Sequence, residues 1–216
     1  METKNTTLSV AEQVAFSLLE IGAIRLSPSK PFKWASGWLS PIYCDNRLSL
    51  SFPSSRTLIK EALVALIKDK FEGVEAIAGV ATAEIPQGVL IAEALALPFI
   101  YVRPKAKDHG MANLIEGKIT PGQKVVVIED LISTGGSSLK AVEALKEAGF
   151  EVLGMAAIFT YGFDLASKNF SDSNVVLYTL SNYHALVKLA AEKGYIQEAE
   201  MKSLSDWRSA PDKWGI

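Results

Sequence analysis

The stretch Lys124 to Ser138, KVVVIEDLISTGGSS, constrains the fold more than any other part of the chain. Its apolar run, Val125 to Ile128, is too short for a helix, and its β-branched side chains favour a strand buried on both faces. Two carboxylates, Glu129 and Asp130, come next, and hydroxyls and glycines then lead into the helical pattern LKAVEALKEAG. We therefore predict the central strand of a parallel sheet, followed by a loop and a helix.

The loop after this strand has the composition of an anion site. Ligands of open α/β sheets bind at the carboxyl ends of the strands. Glycines allow close approach of the backbone, and amide groups at a helix N-terminus favour an anion. The chain contains neither the Walker pattern nor the dinucleotide pattern GxGxxG. Paired carboxylates suit sugar hydroxyls, so the predicted ligand is a sugar that carries phosphate; the alternative is an ordinary polar βα turn.

The rest of the chain predicts an α/β fold with a doubly wound, mostly parallel sheet. Predicted strands EAIAGV, PFIYV, EVLGMAAIFTY and VVLYTL alternate with helical segments. We expect a single domain over residues 1–216, with a small amino-terminal hood lobe at about 1–56 and a core at about 57–195. The lobe includes a helix that begins at Ser9 with Glu12 in the capping-box position. We expect the carboxyl-terminal tail to pack on the body.

Composition narrows the classes of partner. The formal net charge is −2 and the chain has no basic tract, which argues against nucleic acid as a partner. Its one cysteine, Cys44, excludes an internal disulfide and fits a reducing cytoplasm. The amino terminus lacks the pattern of a signal peptide, and no apolar stretch reaches membrane length. These features predict a cytoplasmic protein without a membrane partner.

Two further segments are candidates for binding phosphate groups. Small residues from Gly79 to Gly88 follow a predicted strand and suit close approach to a diphosphate. The long polar segment Arg103 to Lys118 carries several cations, and a segment of this kind commonly forms a lid. Cations that close over a leaving group stabilise its developing charge and exclude water. A solvated run of charges is the alternative for this segment.

The order of apolar strand, acid pair and Thr-Gly-Gly-Ser resembles the signature of type I phosphoribosyltransferases, which bind 5-phosphoribosyl 1-diphosphate (PRPP). Over nearly the whole chain the sequence is similar to orotate phosphoribosyltransferases. The matching positions are Ser36-Gly37, Ser40-Pro41, Asp45-Asn46-Arg47, the lid pattern Arg103-x-x-x-Lys107-x-His109-Gly110, and EDLISTGGS. The resemblance implies transfer of the phosphoribosyl group from PRPP to orotate, giving orotidine 5′-monophosphate and pyrophosphate in pyrimidine synthesis. It also implies Mg²⁺ held mainly by PRPP rather than by a protein metal site, and a homodimer whose lid reaches the neighbouring subunit.

The same resemblance assigns roles to individual residues. The catalytic candidates are Lys107, Asp130 and His109. The expected PRPP contacts are Arg103, Lys107, His109, Glu129, Asp130, Leu131, Ile132, Ser133, Thr134, Gly135, Gly136 and Ser137. The expected orotate contacts are Ser133, Arg25, Tyr43 and Cys44.

The sequence departs from the family pattern at four places, one of which is Gln87 where relatives often have histidine. Pro104 stands where many members have a second lysine, and Glu84 stands where relatives usually have glycine. A carboxylate at position 84 would repel pyrophosphate unless it turned outward or bound through magnesium. The segment Thr160 to Asp164 lacks the arginine that contacts orotate in other members, which suggests Arg25 and backbone groups near Tyr43 as the anchor. The alternative functions are a PRPP-sensing regulatory protein and a phosphoribosyltransferase for another nucleobase.

Overall fold

The computed structural model describes residues 8–34, 37–105 and 114–215. Within these ranges a six-stranded sheet has the order β10-β9-β8-β5-β6-β7, and its neighbouring strands are parallel except for the β6–β7 pair. The strands are β5 (Ala76–Val80), β6 (Phe99–Val102), β7 (Ile115–Glu116), β8 (Lys124–Ile132), β9 (Glu151–Thr160) and β10 (Leu177–Asn182). The predicted α/β fold with a mostly parallel sheet is confirmed.

Helices cover both faces of this sheet. They are α1 (Val10–Glu20), α2 (Pro53–Lys70), α3 (Glu84–Leu95), α4 (Gly136–Glu147), α5 (Asp164–Asp172), α6 (Tyr183–Glu192) and α7 (Glu198–Ser209). Successive side chains of β8 point to opposite faces. Val126 and Ile128 accordingly join the core cluster formed with α1, α2, α3, α6 and α7, whereas Val125 and Val127 join the cluster formed with α4 and α5.

A crevice opens at the carboxyl ends of β5 and β8. Strand β5 continues through α3 to β6 on one side of the sheet, and β8 continues through α4 to β9 on the other. The loops that follow β5 and β8 therefore diverge, which is the arrangement where open α/β sheets bind ligands. The chain order of the strands thus fixes the place of the candidate site.

The central strand is longer than predicted. It pairs with β5 as far as Ile128, and its pairing with β9 continues from Glu129 to Ile132. The acid pair therefore lies within the last residues of the strand, not after it. The ladder to β9 holds the acids in extended conformation beyond the point where β5 ends.

The hood lobe consists of two small antiparallel strand pairs and a 3₁₀ helix. Strand β1 (Ile24–Leu26) pairs with β4 (Ile42–Cys44), and β2 (Phe32–Lys33) pairs with β3 (Leu39–Ser40); the 3₁₀ helix spans Asn46–Ser51. Helix α1, which we assigned to this lobe, instead packs on the main body, where the hydroxyl of Ser181 donates to the carbonyl of Ala11 at 2.7 Å. The lobe itself therefore begins near Ile24.

Local signals explain the ends of α1. The hydroxyl of Ser9 accepts from the N–H of Glu12 at 3.3 Å, and the Glu12 carboxylate accepts from the N–H of Ser9 at 2.9 Å. The predicted capping box is therefore present. None of the helices formed by the described residues combines the length and apolar character that a membrane crossing requires.

Candidate active site

The acid pair lies at the centre of the crevice. Glu129 is buried, and its carboxylate accepts from the Ser138 hydroxyl at 2.7 Å and from the backbone N–H of Asp130 at 3.0 Å. Asp130 is only partly buried and lines the main cavity. Glu129 is therefore oriented by Ser138 of α4 and by the backbone of Asp130, and both acids line the main cavity, Asp130 being the more exposed of the two.

Burial makes both acids harder to ionise. Loss of water around the carboxyl, together with the nearby Asp130, raises the pKa of Glu129. Burial also raises the pKa of Asp130, although hydrogen bonds and the nearby Arg47 guanidinium oppose that effect. The pair therefore favours a ligand that brings hydroxyl donors or a cation, since either would stabilise the ionised form.

The loop from Ser133 to Ser137, the phosphate loop, depends on one glycine in the left-handed backbone conformation. Gly135 has φ of +80°, and a Cβ built on it would lie 2.6 Å from the Phe170 ring of α5. Residue 134 is held from the same helix, since the Asn169 amide donates to the Thr134 carbonyl at 2.9 Å. The loop therefore turns tightly into α4 and presents its backbone to the crevice.

The hood lobe is joined to the central strand by Asn46. Its side-chain amide donates to the Asp130 carbonyl at 2.7 Å, and its Oδ1 accepts from the Cys44 thiol at 3.2 Å. The adjacent Arg47 forms two hydrogen bonds with the Asp45 carboxylate, at 2.6 and 3.0 Å. The motif Asp45-Asn46-Arg47 thus sets the position of the lobe over the acid pair.

The main cavity has a volume of about 690 Å³. It brings together the ends of β5, β6 and β8 and one face of α4, through Val80, Ala81, Arg103, Glu129, Asp130 and Ser137. The Ala81–Thr82 peptide at its edge is cis. Acids that suit a sugar, a helix N-terminus that suits phosphate and a guanidinium therefore share one cavity.

Glu84 is not among the residues that line this cavity. It begins α3 with 2% of its surface exposed, and its Oε2 has no hydrogen-bond partner. Burial and the nearby Asp130 and Glu129 raise its pKa well above the usual range. Burial outside the cavity lining thus keeps this carboxyl away from a ligand in the cavity and disfavours its charged form.

The glycines of the segment Gly79 to Gly88 allow α3 to pack closely against the sheet. A Cβ on Gly79 would lie 2.6 Å from the Glu84 carbonyl, and one on Gly88 would lie 2.5 Å from the Phe99 ring. These glycines therefore bring α3 against the sheet.

The two ends of the predicted lid, residues 103–105 and 114–118, belong to the described part of the chain, and the second end includes β7. Arg103 lines the main cavity, and its Nη1 lies 3.5 Å from the Glu116 carboxylate. Pro104 also lines the cavity, and Lys105 is exposed. Lys107 and His109 lie outside the described residues, so their predicted roles remain predictions.

The predicted PRPP contacts in the EDLISTGGS signature differ in whether their side chains are exposed. Ser133 and Thr134 are partly exposed, and Gly136 and Ser137 are exposed at the start of α4. Ile132 is buried in the core, and its carbonyl accepts from the Tyr161 N–H at 3.1 Å, while Leu131 packs against the other core cluster. The side chains of Leu131 and Ile132 therefore serve the core, and ligand contacts fall to the residues after them.

The predicted orotate residues lie in the hood lobe. The Arg25 guanidinium lies over the Tyr43 ring at 5.1 Å and over the Phe32 ring at 5.6 Å. Cys44 follows Tyr43 on the same strand, and burial raises the pKa of its thiol. The thiol is thus kept protonated, as suits a packing residue better than a nucleophile.

Sequence reasoning missed several groups at the site. Ser138 orients Glu129, Asn46 joins the lobe to the strand, and Arg47 lies near Asp130. Asn46 and Arg47 were noted only as a motif. Ser138 had a readable signal, because a residue in the first turn of a helix that follows a strand faces back towards the strand end.

Magnesium fits this site only in part. Among the residues that the structure describes, no three histidines, cysteines or acids are grouped to hold a metal ion. Asp130 does line the cavity, and carboxylate oxygen is a ligand that Mg²⁺ accepts. The residues present suit a metal that arrives with its substrate.

Residues 52–192 match the phosphoribosyl transferase domain family. The orotate phosphoribosyltransferase of Cytophaga hutchinsonii is 61% identical over 207 residues, which are 96% of this chain and 99% of that protein. The chain belongs to the orotate phosphoribosyltransferase family. The resemblance on which the sequence analysis relied is thereby confirmed.

Solved structures place the fold in the same family. The orotate phosphoribosyltransferase of Aeropyrum pernix superimposes with a TM-score of 0.73 at 28% identity, covering 85% of this chain and 99% of that one. The UMP synthase of Leishmania donovani gives a TM-score of 0.77 at 25% identity, covering 92% of this chain and 42% of the longer protein. The architecture is therefore that of an orotate phosphoribosyltransferase.

Proposed function

We propose that this chain transfers the phosphoribosyl group of PRPP to orotate, forming orotidine 5′-monophosphate and pyrophosphate in pyrimidine synthesis. The observation that carries the proposal is the main cavity, which Arg103, the acid pair and Ser137 of the phosphate loop line together. Relatives that share more than half of their residues with this chain are orotate phosphoribosyltransferases.

The reaction is a displacement at the anomeric carbon. The bond from that carbon to pyrophosphate breaks, and its electron pair leaves with pyrophosphate. A ring nitrogen of orotate forms the new bond and releases its proton, and the sugar passes through a state with oxocarbenium character. Groups that hold the sugar and stabilise the departing charge therefore do most of the work.

The described residues divide these tasks among themselves. Glu129 and Asp130 hold the ribose hydroxyls, and the backbone and hydroxyls from Ser133 to Ser137 hold the 5′-phosphate. Ser133 and the backbone near Tyr43 and Cys44 contact the base, while Arg25 stacks on Tyr43 and supports that wall. Magnesium bound to PRPP would supply positive charge that stabilises the departing pyrophosphate.

The lid covers the leaving group. Arg103 at its base already lines the cavity. Lys107 and His109, which lie outside the described residues, bring further positive charge, with Lys107 as the main catalytic group. The positive charge stabilises pyrophosphate as it departs, and closure excludes water that would hydrolyse PRPP.

A homodimer completes the active site. Three large apolar residues, Leu48, Phe52 and Val89, are exposed on the 3₁₀ helix, the start of α2 and α3. Helix α2 packs against both the 3₁₀ helix and α3. Contact with a second copy would remove these apolar residues from water and bring its lid near this crevice. We place the enzyme in the cytoplasm, where the Cys44 thiol stays reduced.

The first test is pyrophosphate release by the purified protein with PRPP and magnesium, with orotate, uracil, adenine, hypoxanthine and xanthine supplied in turn. We expect release with orotate alone. Release with another base would keep PRPP chemistry and overturn the base assignment. Binding of PRPP without release from any base would favour a PRPP-sensing protein.

A further inference from the structure

A cation from the carboxyl-terminal helix reaches the loop that follows β9. Trp207 of α7 is fully buried, and its ring lies within 5.7 Å of the rings of Trp34, Tyr161, Phe163 and Tyr183. This cluster fixes the end of α7, and the next residue, Arg208, donates from Nη2 to the Gly162 carbonyl at 2.8 Å. The buried Trp207 therefore fixes the backbone at Arg208, and the hydrogen bond to Gly162 fixes the guanidinium.

Gly162 has a left-handed backbone conformation and lies directly against the guanidinium. Its φ is +69°, and a Cβ built on it would lie 3.5 Å from Nη2 and 3.8 Å from Nε of Arg208. Among the described residues, no carboxylate lies within ion-pair distance of Arg208. The guanidinium thus has one backbone partner and further N–H groups with which to bind an anion.

These N–H groups border a cavity next to the phosphate loop. The cavity has a volume of about 440 Å³, and Arg208, Thr134 of the phosphate loop, Trp38 of the hood lobe and Phe163 line it. Asp164 and Asp212 line it too, so of its described walls only Arg208 contributes positive charge. An anion that enters from the phosphate loop therefore meets Arg208 as its attractive partner.

We propose that Arg208 binds the carboxylate of orotate and so determines the choice of base. Orotate differs from uracil by this carboxylate, and a planar guanidinium binds carboxylate through two parallel hydrogen bonds. Arg25, the other candidate, already lies over the rings of Phe32 and Tyr43, which contact each other. The inference rests on the proposed function and adds to it the residue that recognises the acid group.

Product binding tests this role without turnover. Orotidine 5′-monophosphate carries the carboxylate, and uridine 5′-monophosphate lacks it, while both carry the same 5′-phosphate. We expect Arg208→Met to weaken binding of orotidine 5′-monophosphate about tenfold or more and to leave uridine 5′-monophosphate unchanged, as measured by calorimetric titration. Arg208→Lys should fall between, because it keeps the charge and loses the fork. Lys202→Met, an exposed change on the same helix, should alter neither.

Each other outcome overturns the role. Equal weakening of both nucleotides by Arg208→Met would make Arg208 a structural residue, and no weakening of either would remove it from the site. A selective loss in Arg25→Met, with Arg208→Met unchanged, would assign the carboxylate to Arg25. The proposed function is judged separately, since pyrophosphate release by the unaltered protein with orotate does not depend on which arginine binds the acid group.

Discussion

Glu84 shows how one residue can break a family pattern without harming the site. The family resemblance implied glycine at this position, and we expected a charged side chain there to repel the pyrophosphate. The structure instead buries the carboxyl at the start of α3, with no hydrogen bond to one of its oxygens. Burial with an unpartnered oxygen disfavours the charged form of the carboxyl, so its cost appears as a dependence of stability on pH.

Replacement of this carboxyl should stabilise the protein at high pH. The folded-state pKa of Glu84 lies above its unfolded value, so folding keeps a proton that the unfolded chain loses as pH rises above about 4.5. Glu84→Gln removes this cost. The free energy of unfolding of the variant should exceed that of the parent by a margin that grows with pH, by at most about 1.4 kcal/mol per pH unit. Urea unfolding at pH 4.5, 6 and 8 measures it.

Glu93→Gln serves as the control for this prediction. Glu93 lies on the same helix and is exposed, so its substitution should give no margin that changes with pH. A constant difference between Glu84→Gln and the parent from pH 4.5 to 8 would show that Glu84 is ionised in the folded protein. In that case a cation or a donor must reach it.

The phosphate loop shows at the scale of an element why its glycines are not interchangeable. Gly135 has positive φ and lies against Phe170, whereas a Cβ on Gly136 would meet only the Thr134 hydroxyl, at 4.0 Å. Gly135→Ala should therefore cost about 1–3 kcal/mol of stability through backbone strain and displacement of Phe170. It should also raise the KM for PRPP, since the amides that face the 5′-phosphate shift.

Gly136→Ala is the matched neighbour for that comparison. It adds the same methyl group at the first residue of a helix, where alanine is favoured, so its stability should equal or slightly exceed that of the parent. Thermal unfolding measures the stability of both variants, and steady-state kinetics measures their KM for PRPP. Equal effects of the two substitutions would mean that the conformation of residue 135 does not control the loop.

Elements with strong local patterns could be predicted from sequence, and those that tertiary contacts define could not. The capping box of α1 and the apolar run of β8 were predicted, because each signal lies within a few neighbouring residues. The extension of β8 to Ile132 was not, because the ladder to β9 holds it. Helix α7 was also missed, although Met201, Leu204 and Trp207 recur every three residues and Gln197 and Glu200 form a capping box.

The candidate site divides in the same way. The acid pair and the phosphate loop are contiguous in sequence, so their composition predicted the sugar phosphate site. Asn46 contacts Asp130, and Arg208 contacts Gly162, from distant segments of the chain, and nothing near either residue in the sequence indicates its contact. The burial of Glu84 likewise depends on how α3 packs against the sheet.

At the scale of the whole molecule, the position of the lid decides whether one subunit can work alone. Arg103 belongs to the crevice of its own chain, whereas Lys107 is proposed to act on the neighbouring subunit. Lys107→Ala and Asp130→Asn should each abolish most turnover when alone, because one removes the lid cation and the other the acid that lines the cavity. Asn preserves the shape of Asp130, so folding should survive.

Mixed dimers of these two variants distinguish a lid that acts on the neighbouring subunit from one that acts on its own. If the lid crosses to its neighbour, one site of each mixed dimer joins an intact Asp130 with an intact Lys107, whereas the other site carries both defects. Random exchange of subunits should then restore about a quarter of the parent activity, since half of the dimers are mixed and one site in two is intact. If each lid serves its own chain, every site keeps one defect and mixing restores nothing. Pyrophosphate release with orotate, measured before and after exchange and compared with each variant mixed with itself, separates the two arrangements.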